Sequence, residues 1–292
     1  MQIWRTIGGR IAELTGEPFS PKGPSHVGGG CINDAVMLSD GARRFFVKLN
    51  RADRLAMFEA EAAGLEALAG AMAIRVPRPF CSGQVGGQAY LVLEAIDMGA
   101  GKATSPALAG RQLAALHRSG WNAFGWERDN TIGSTHQPNG PVPDWSEFWR
   151  ERRLGFQLHL AGRNGHGGRL QRLGERLMER LPALLEHRPQ PSLLHGDLWG
   201  GNIGYDREGA PVIFDPAVYY GDREADLAMT ELFGGFGADF YAAYREAWPI
   251  GPGYATRKTL YNLYHILNHL NMFGGGYLGQ ALRMMDQLLS EC

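Results

Sequence analysis

The sequence predicts an α+β fold of two lobes: a small β-rich lobe over residues 1–97 and a larger, mainly helical lobe over 98–292. Three observations carry this. At 292 residues the chain exceeds the ~100–200 of one ordinary domain. Its first third alternates short β-like runs with Gly-rich turns, and after Asp97-Met98-Gly99 the pattern becomes mostly helical. Hydrophobic residues make up 44% of the chain, enough to bury a full core without disulfides or metals.

Each element follows from local pattern. His26–Asp40 reads as a glycine turn leading into a strand, and Arg43–Leu49 as the next strand, with Asp40-Gly41 as the hairpin turn between them. Asp53 opens a helical stretch in which Leu55, Phe58, Leu65 and Leu68 recur near helical spacing and Gly70 is the stop. Pro77 and Pro79 follow, and Gln88–Ile96 is a strongly apolar strand. Pro106–Arg118 reads as a helix, Gly120–Pro143 as a polar loop rich in Gly, Pro and Asn, and Asp144–Ala161 and Arg169–Glu186 as two helices. Two short apolar strands, Ser192–Leu194 and Pro211–Phe214, flank a polar loop. From Asp222 the chain is helical, broken at Gly234-Gly235, Pro249–Gly253 and Gly274–Gly276.

Composition narrows the function. Against 29 basic side chains stand 30 acidic ones, for a net charge of −1, so the basic excess of a nucleic-acid or polybasic membrane binder is missing. Three cysteines (Cys31, Cys81, Cys292) form no CxxC pair and fit a reducing compartment. The N-terminal residues hold no apolar stretch of the ~7–15 residues a secretory signal needs. No run approaches the ~18 apolar residues of a membrane span. The expectation is a cytoplasmic protein with a small-molecule partner, no nucleic acid and no membrane.

The chemistry concentrates in His195-Gly196-Asp197-Leu198-Trp199-Gly200-Gly201-Asn202, followed by Phe214-Asp215-Pro216. Asp197 and Asn202 have the spacing of a kinase catalytic loop, H-x-D-x-x-x-x-N. A polar loop between two short strands can bring Asp197, Asn202 and Asp215 to one opening. Asp197 then accepts a hydroxyl proton, while Asn202 and Asp215 offer the hard oxygens that Mg²⁺ prefers. A capping Asp with an Asx-turn Asn is the plainer reading of the same loop. Lys48, in Phe46-Val47-Lys48-Leu49, is a strand-borne lysine suited to nucleotide phosphates, and Glu61, on the following helix, can pair with it, with Glu59 and Glu66 as rival partners, Glu59 facing elsewhere on the helix. Gly28-Gly29-Gly30 can bring backbone amides to phosphates, although a bare turn explains such a run as well.

Taken together, GGGCIN at 28–33, FVK at 46–48, FEAEAAGLEAL at 58–68, DNTIGSTHQPN at 129–139, HGDLWGGN at 195–202, FDP at 214–216, YYGDREADLAM at 219–229 and YNLYHILNHLNMFGGGY at 261–277 resemble the fructosamine (ketosamine) kinases. That family is similar in fold to aminoglycoside phosphotransferases, choline kinases and protein kinases. The resemblance runs from about residue 24 to residue 290; its DNTIGST…PN and HLN…GGGY stretches are the family-specific ones. It implies MgATP-dependent phosphorylation of a ketosamine, typically on the sugar 3-hydroxyl, in deglycation or salvage. Carried over, Asp197 is the base, Asn202 and Asp215 hold magnesium, Lys48 meets the phosphates and Glu61 holds Lys48. Gly28, Gly29 and Gly30 cover the nucleotide, and the adenine sits near Glu94–Ile96, with Glu94 and Ile96 as its contacts. Asp215-Pro216 departs from the Asp-Phe-Gly of protein kinases and puts a switch of that type in doubt.

Other residues carry two readings. Trp126 and the Asp129–Asn139 stretch, with Asp129 and Asn130, are candidates for a substrate rim, or else an Ω-loop that braces the lobes. Trp199 packs or stacks on substrate. His265 and His269 lie i, i+4 on a helix, but without HExxH a packed helix outweighs a zinc pair; the resemblance puts Asn268, His269 or Asn271 near the sugar. His195 is expected to brace backbone, and Glu224 and Asp226 to be structural. Cys31 is a buried free thiol or a redox brake on nucleotide entry. Alternatives of other classes are an aminoglycoside- or choline-type phosphotransferase and a non-catalytic kinase-like binding module.

Overall fold

The computed structural model describes residues 2–28 and 32–291. The chain opens with helix α1 (Gln2–Thr15), then β1 (Pro24–His26), β2 (Asp34–Ser39), β3 (Arg44–Arg51), α2 (Leu55–Gly70), β4 (Pro79–Val85) and β5 (Gln88–Glu94). The strands form one antiparallel sheet in the order β1-β2-β3-β5-β4. Period-two alternation gives this sheet two distinct faces. Val36, Leu38, Phe45, Val47, Tyr90 and Val92 pack with Ile7 and Ile11 of α1. Ala35, Met37, Phe46, Lys48 and Leu93 face the other way, into a cleft.

The sequence pattern missed α1 and β4. Gly8-Gly9 lowers helix propensity in α1. Gly8 is nonetheless required, since a Cβ there lies 2.8 Å from Pro21 Cδ. In β4, Pro79, Ser82 and Gly83 hide a strand that pairs with β5 across a register shift between Pro79 and Cys81.

The larger lobe contains β6 (Met98–Gly99), α3 (Ser105–His117), β7 (Asn130–Ile132), β8 (Thr135–Gln137), α4 (Trp145–Phe148), α5 (Gly155–Arg163) and α6 (Arg169–Leu184). After these come β9 (Ser192–Leu194), β10 (Ile203–Asp206), β11 (Pro211–Ile213), β12 (Tyr219–Gly221), α7 (Glu224–Leu232), α8 (Ala238–Ala247), α9 (Tyr254–Phe273) and α10 (Leu278–Ser290). In α6, Leu170, Leu173, Leu177, Leu181 and Leu184 form the buried stripe that its sequence predicts. No helix is long and apolar enough to cross a membrane among the described residues.

Two expectations need correction here. The expected loop at 120–143 contains the β7–β8 hairpin, turned at Gly133-Ser134 between β-branched residues. The single helix expected over 144–161 begins as foreseen, with Asp144 capping Glu147 N at 2.8 Å, but its middle, Trp149–Leu154, is π-helical. Arg153, within this stretch, is wholly buried in the core.

Candidate active site

A cleft of about 580 Å³ separates the sheet face that carries Lys48 from the β9–β12 region. Lys48, Glu61, Glu94, Ile96, Asp197, Trp199, Asn202 and Asp215 all line it, as does Gly28. Gly29, Gly30 and Cys31 lie outside the described residues.

Lys48 is placed by register: on β3 it pairs with Ala35 of β2 and Leu91 of β5, two residues from Phe46 on the same face. Its Nζ reaches Glu61 Oε1 and Asp215 Oδ1, each at 2.5 Å. The lysine thus ties α2 to the segment after β11. Burial works against its ammonium, but the two carboxylates outweigh burial and hold its pKa above the ordinary value.

The loop between β9 and β10 carries Asp197 and Asn202. Buried His195 braces it: Nε2 donates to Phe214 O at 3.0 Å, and Nδ1 accepts Asp197 N–H at 3.3 Å. Burial lowers its pKa, so it stays the neutral imidazole these bonds need. Asp226, on α7, accepts from His195 N at 2.7 Å, Gly196 N at 2.8 Å and His117 Nε2 at 3.1 Å. Burial opposes its ionisation, yet these partners, His117 foremost, hold its pKa below the usual carboxylate range. The structural role expected of Asp226 is therefore to fasten the backbone beside Asp197. Glu224 instead forms a buried bidentate pair with Arg257, at 2.7 and 3.0 Å.

Asp197 sits in a setting that suits proton acceptance. Burial, then the charges of Asp215 and Asp226, push its carboxyl up to about 7, against the hydrogen bond from Asn202. Asn202 Nδ2 donates to Asp197 O at 2.9 Å and to its Oδ2 at 3.3 Å. That fixes the amide orientation and leaves Oδ1 available. Asp215 has one carboxylate oxygen on Lys48, is half exposed, and holds a φ of 59°. An amide oxygen and a carboxylate at one opening are hard donors that fit Mg²⁺.

Three expectations change. Trp126 is not at a rim: it is 5% exposed in the main core, its main-chain N–H donating to Asn139 O at 2.7 Å. Asp129 lies off the cleft, accepting from Asn139 N at 2.7 Å and facing His136 at 3.3 Å. Glu94 lines the cleft as expected, with its carboxylate held by Arg75 at 2.9 Å and Arg78 N at 3.3 Å. Asn130 borders the cleft, but its amide is tied to Val218 O at 2.8 Å.

Trp199, 40% exposed, meets Phe233 edge-on at 6.4 Å, and Phe233 lies 5.0 Å from His269, which also packs on Phe273 and Tyr277. His269 Nδ1 donates to His265 O at 2.8 Å. The apolar lining at Met37, Phe46, Leu93 and Val212 was not singled out in the sequence, although strand alternation with Lys48 marks Phe46.

The sequence model of the fructosamine kinases matches residues 3–291. The chain belongs to the fructosamine kinase family. A probable ketoamine kinase of Synechocystis is 51% identical over 287 residues, covering 98% of this chain and 97% of that one. The chloroplastic protein-ribulosamine 3-kinase of Arabidopsis thaliana is 47% identical over 267 residues, covering 90% and 81%. The solved structure of a candidate fructosamine-3-kinase from Haemophilus somnus superposes with a TM-score of 0.90 at 31% identity, covering 98% and 97%. At 16% identity, an aminoglycoside phosphotransferase shares the kinase-like fold, with a TM-score of 0.64 over 97% of this chain and 98% of that one.

Proposed function

We propose that this protein is an ATP-dependent kinase that phosphorylates a sugar hydroxyl of ketosamines, the 3-hydroxyl in particular, and so serves deglycation or salvage of glycated amines. The observation that carries the reading is the convergence of Lys48, Asp197, Asn202 and Asp215 on one cleft, within a chain of this family. Names of relatives such as protein-ribulosamine 3-kinase support the acceptor class.

In this reading Lys48, held by Glu61, meets the phosphates of ATP, and the apolar lining and main chain at 94–96 receive the adenine. Gly28, Gly29 and Gly30 cover the nucleotide. Asn202 and Asp215 hold Mg²⁺, which when bound neutralises phosphate charge. Asp197 orients the acceptor hydroxyl and takes its proton as the new O–P bond forms and the bond to ADP breaks. Most of the work is alignment and charge stabilisation rather than covalent chemistry. Residues 1–97 form the nucleotide-binding lobe and 98–292 the catalytic and substrate-binding lobe, and the cytoplasm suits a chain whose three cysteines form no CxxC pair.

The test is ADP release with MgATP across ribulose-lysine, fructose-lysine, choline and kanamycin. Turnover on a ketosamine that drops about 10²–10⁴-fold in Asp197→Asn supports the reading. Turnover only on choline or kanamycin overturns the acceptor, and ATP binding without turnover on any of the four favours a binding module.

A further inference from the structure

The β7–β8 hairpin joins the segment after Asp215 through buried side-chain amides rather than through a sheet. At one end stands Arg153, wholly buried and in salt-bridge contact with no carboxylate among the described residues. Its Nη1 donates to Pro138 O at 2.7 Å and Arg152 O at 3.0 Å, and its Nη2 to Asn139 Oδ1 at 2.7 Å. Its guanidinium lies 4.0 Å from the Tyr219 ring centre and 4.6 Å from that of Phe148. Carbonyls and aromatic faces thus offset the cost of burying this charge.

The bonds then run in one direction. Asn139 Nδ2 donates to Asn130 Oδ1 at 2.8 Å, and Asn130 Nδ2 donates to Val218 O at 2.8 Å. Gln137 Nε2 reaches Asn130 Oδ1 at 2.8 Å and Ala217 O at 3.1 Å, and Tyr264 OH donates to Gln137 Oε1 at 2.6 Å. A guanidinium can only donate and a main-chain carbonyl can only accept, so the cation at one end fixes which way both asparagine amides face. Its charge also strengthens the donations further along the relay.

The receiving carbonyls belong to the floor of the active site. Ala217 N donates to His195 O at 2.8 Å, and Ala217 O lies so close under Gly196 that a Cβ there stands 2.0 Å from it. Two residues before Ala217, Asp215 holds its left-handed backbone, a conformation that persists in a non-glycine residue only when its surroundings impose it.

We infer that Asn130 is a positioning residue for phosphoryl transfer, oriented by the buried guanidinium of Arg153 through Asn139, and that it acts by fixing the Val218 carbonyl, beside the Ala217 carbonyl that Gln137 holds, and hence the aim of Asp215. This rests on Asp215 being a metal-holding residue. The sequence reading placed Asn130 at a substrate rim; its amide instead faces the protein.

The test uses Asn130→Asp, nearly isosteric but unable to donate to Val218 O, together with Arg153→Met and the double variant. Steady-state kinetics, thermal melting and Mn²⁺ binding with AMP-PNP by electron paramagnetic resonance are compared with wild type. In a folded Asn130→Asp protein, kcat is expected to fall and the Mn²⁺ dissociation constant to rise, each by about 10–100-fold, with the ketosamine KM little changed. Arg153→Met should show the same signature, and the double variant should be no worse than the weaker single one. If Arg153→Met does not fold, the Asn130 variant alone decides. A folded Asn130→Asp with wild-type kcat and Mn²⁺ affinity, or strictly additive losses, overturns the inference. Asp215→Ala is the control: unchanged Mn²⁺ affinity there removes the metal assignment, and this inference with it. Lost affinity in Asp215→Ala beside an unaltered Asn130→Asp overturns the positioning role alone.

Discussion

Asn202 commits its amide nitrogen to Asp197, donating to that residue's main-chain carbonyl at 2.9 Å and reaching its carboxylate at 3.3 Å. One side chain therefore shapes the loop that carries Asp197, the proposed base, and leaves an oxygen for a cation. Asn202→Ala loses both at once. We expect kcat to drop about 10–100-fold and the Mg²⁺ concentration for half-maximal rate to rise, with melting temperature nearly unchanged. A Mg²⁺ titration at fixed ATP checks this, and an unaltered Mg²⁺ dependence removes Asn202 from the metal site.

Lys48 separates stability from catalysis. Removing one member of a buried ion pair costs up to about 3–5 kcal/mol because the partner keeps its charge without compensation. Here the cost should sit toward the lower end, since the Asp215 side chain is 47% exposed while that of Glu61 is 11% exposed. Lys48→Met is expected to lower stability in urea and abolish turnover. Adding Glu61→Gln should recover most of the stability and none of the activity. A double variant as unstable as the single one would show that Glu61 is not the group left stranded.

The candidate site was legible because its residues lie in short motifs whose residue types a kinase-like site would require. Asp197, Asn202 and Asp215 line one cleft, and the Lys48–Glu61 pair forms as expected. The two-lobe α+β class was legible from the change in periodicity near residue 97. What was not legible depends on tertiary context. Nothing local marks the π-helical residues Trp149–Leu154 or tells where Arg153 points. Trp126 was misread because polar neighbours suggested a surface loop, whereas that loop is pinned inward by Asn130, Gln137 and Asn139. Asp226 drew attention only as a favourable acid in a helix's first turn; its bonds to the His195 and Gly196 amides exist only once α7 packs under β9.

Gly196 is a sharp test of how tightly the loop that carries Asp197 is packed. Its φ is 82°, and an added Cβ meets Ala217 O at 2.0 Å, a main-chain atom that cannot step aside cheaply. Gly196→Ala combines left-handed strain with this clash, so a loss of at least about 2 kcal/mol is expected. Activity should fall further than stability explains, because Asp197 is the next residue. Denaturant unfolding and single-turnover rates measure the two separately. A variant with wild-type rate would mean that the loop has slack that this close approach denies.

Acid sensitivity should trace in part to a residue outside the candidate site. His265 is buried on α9, and burial, then the nearby charge of His269, lowers its pKa to about 3, with Arg153 acting in the same direction and Asp226 opposing. In the unfolded chain its pKa is about 6.5, so between these values the unfolded state binds a proton that the folded state refuses. Stability from this group is therefore complete above about pH 6.5 and declines as the pH falls, by about 1.4 kcal/mol per unit, or about 2 kcal/mol by pH 5. The decline stops near pH 3, where the folded protein also takes up the proton. His265→Gln keeps a polar side chain of similar size without titrating, so it should flatten the acid limb between pH 6.5 and 5 while leaving other groups' contributions in place. Urea unfolding of both proteins across that range isolates the difference. Parallel curves would show that the His265 site admits water or a counter-charge on protonation, and that the acid limb comes from carboxylates such as Asp226.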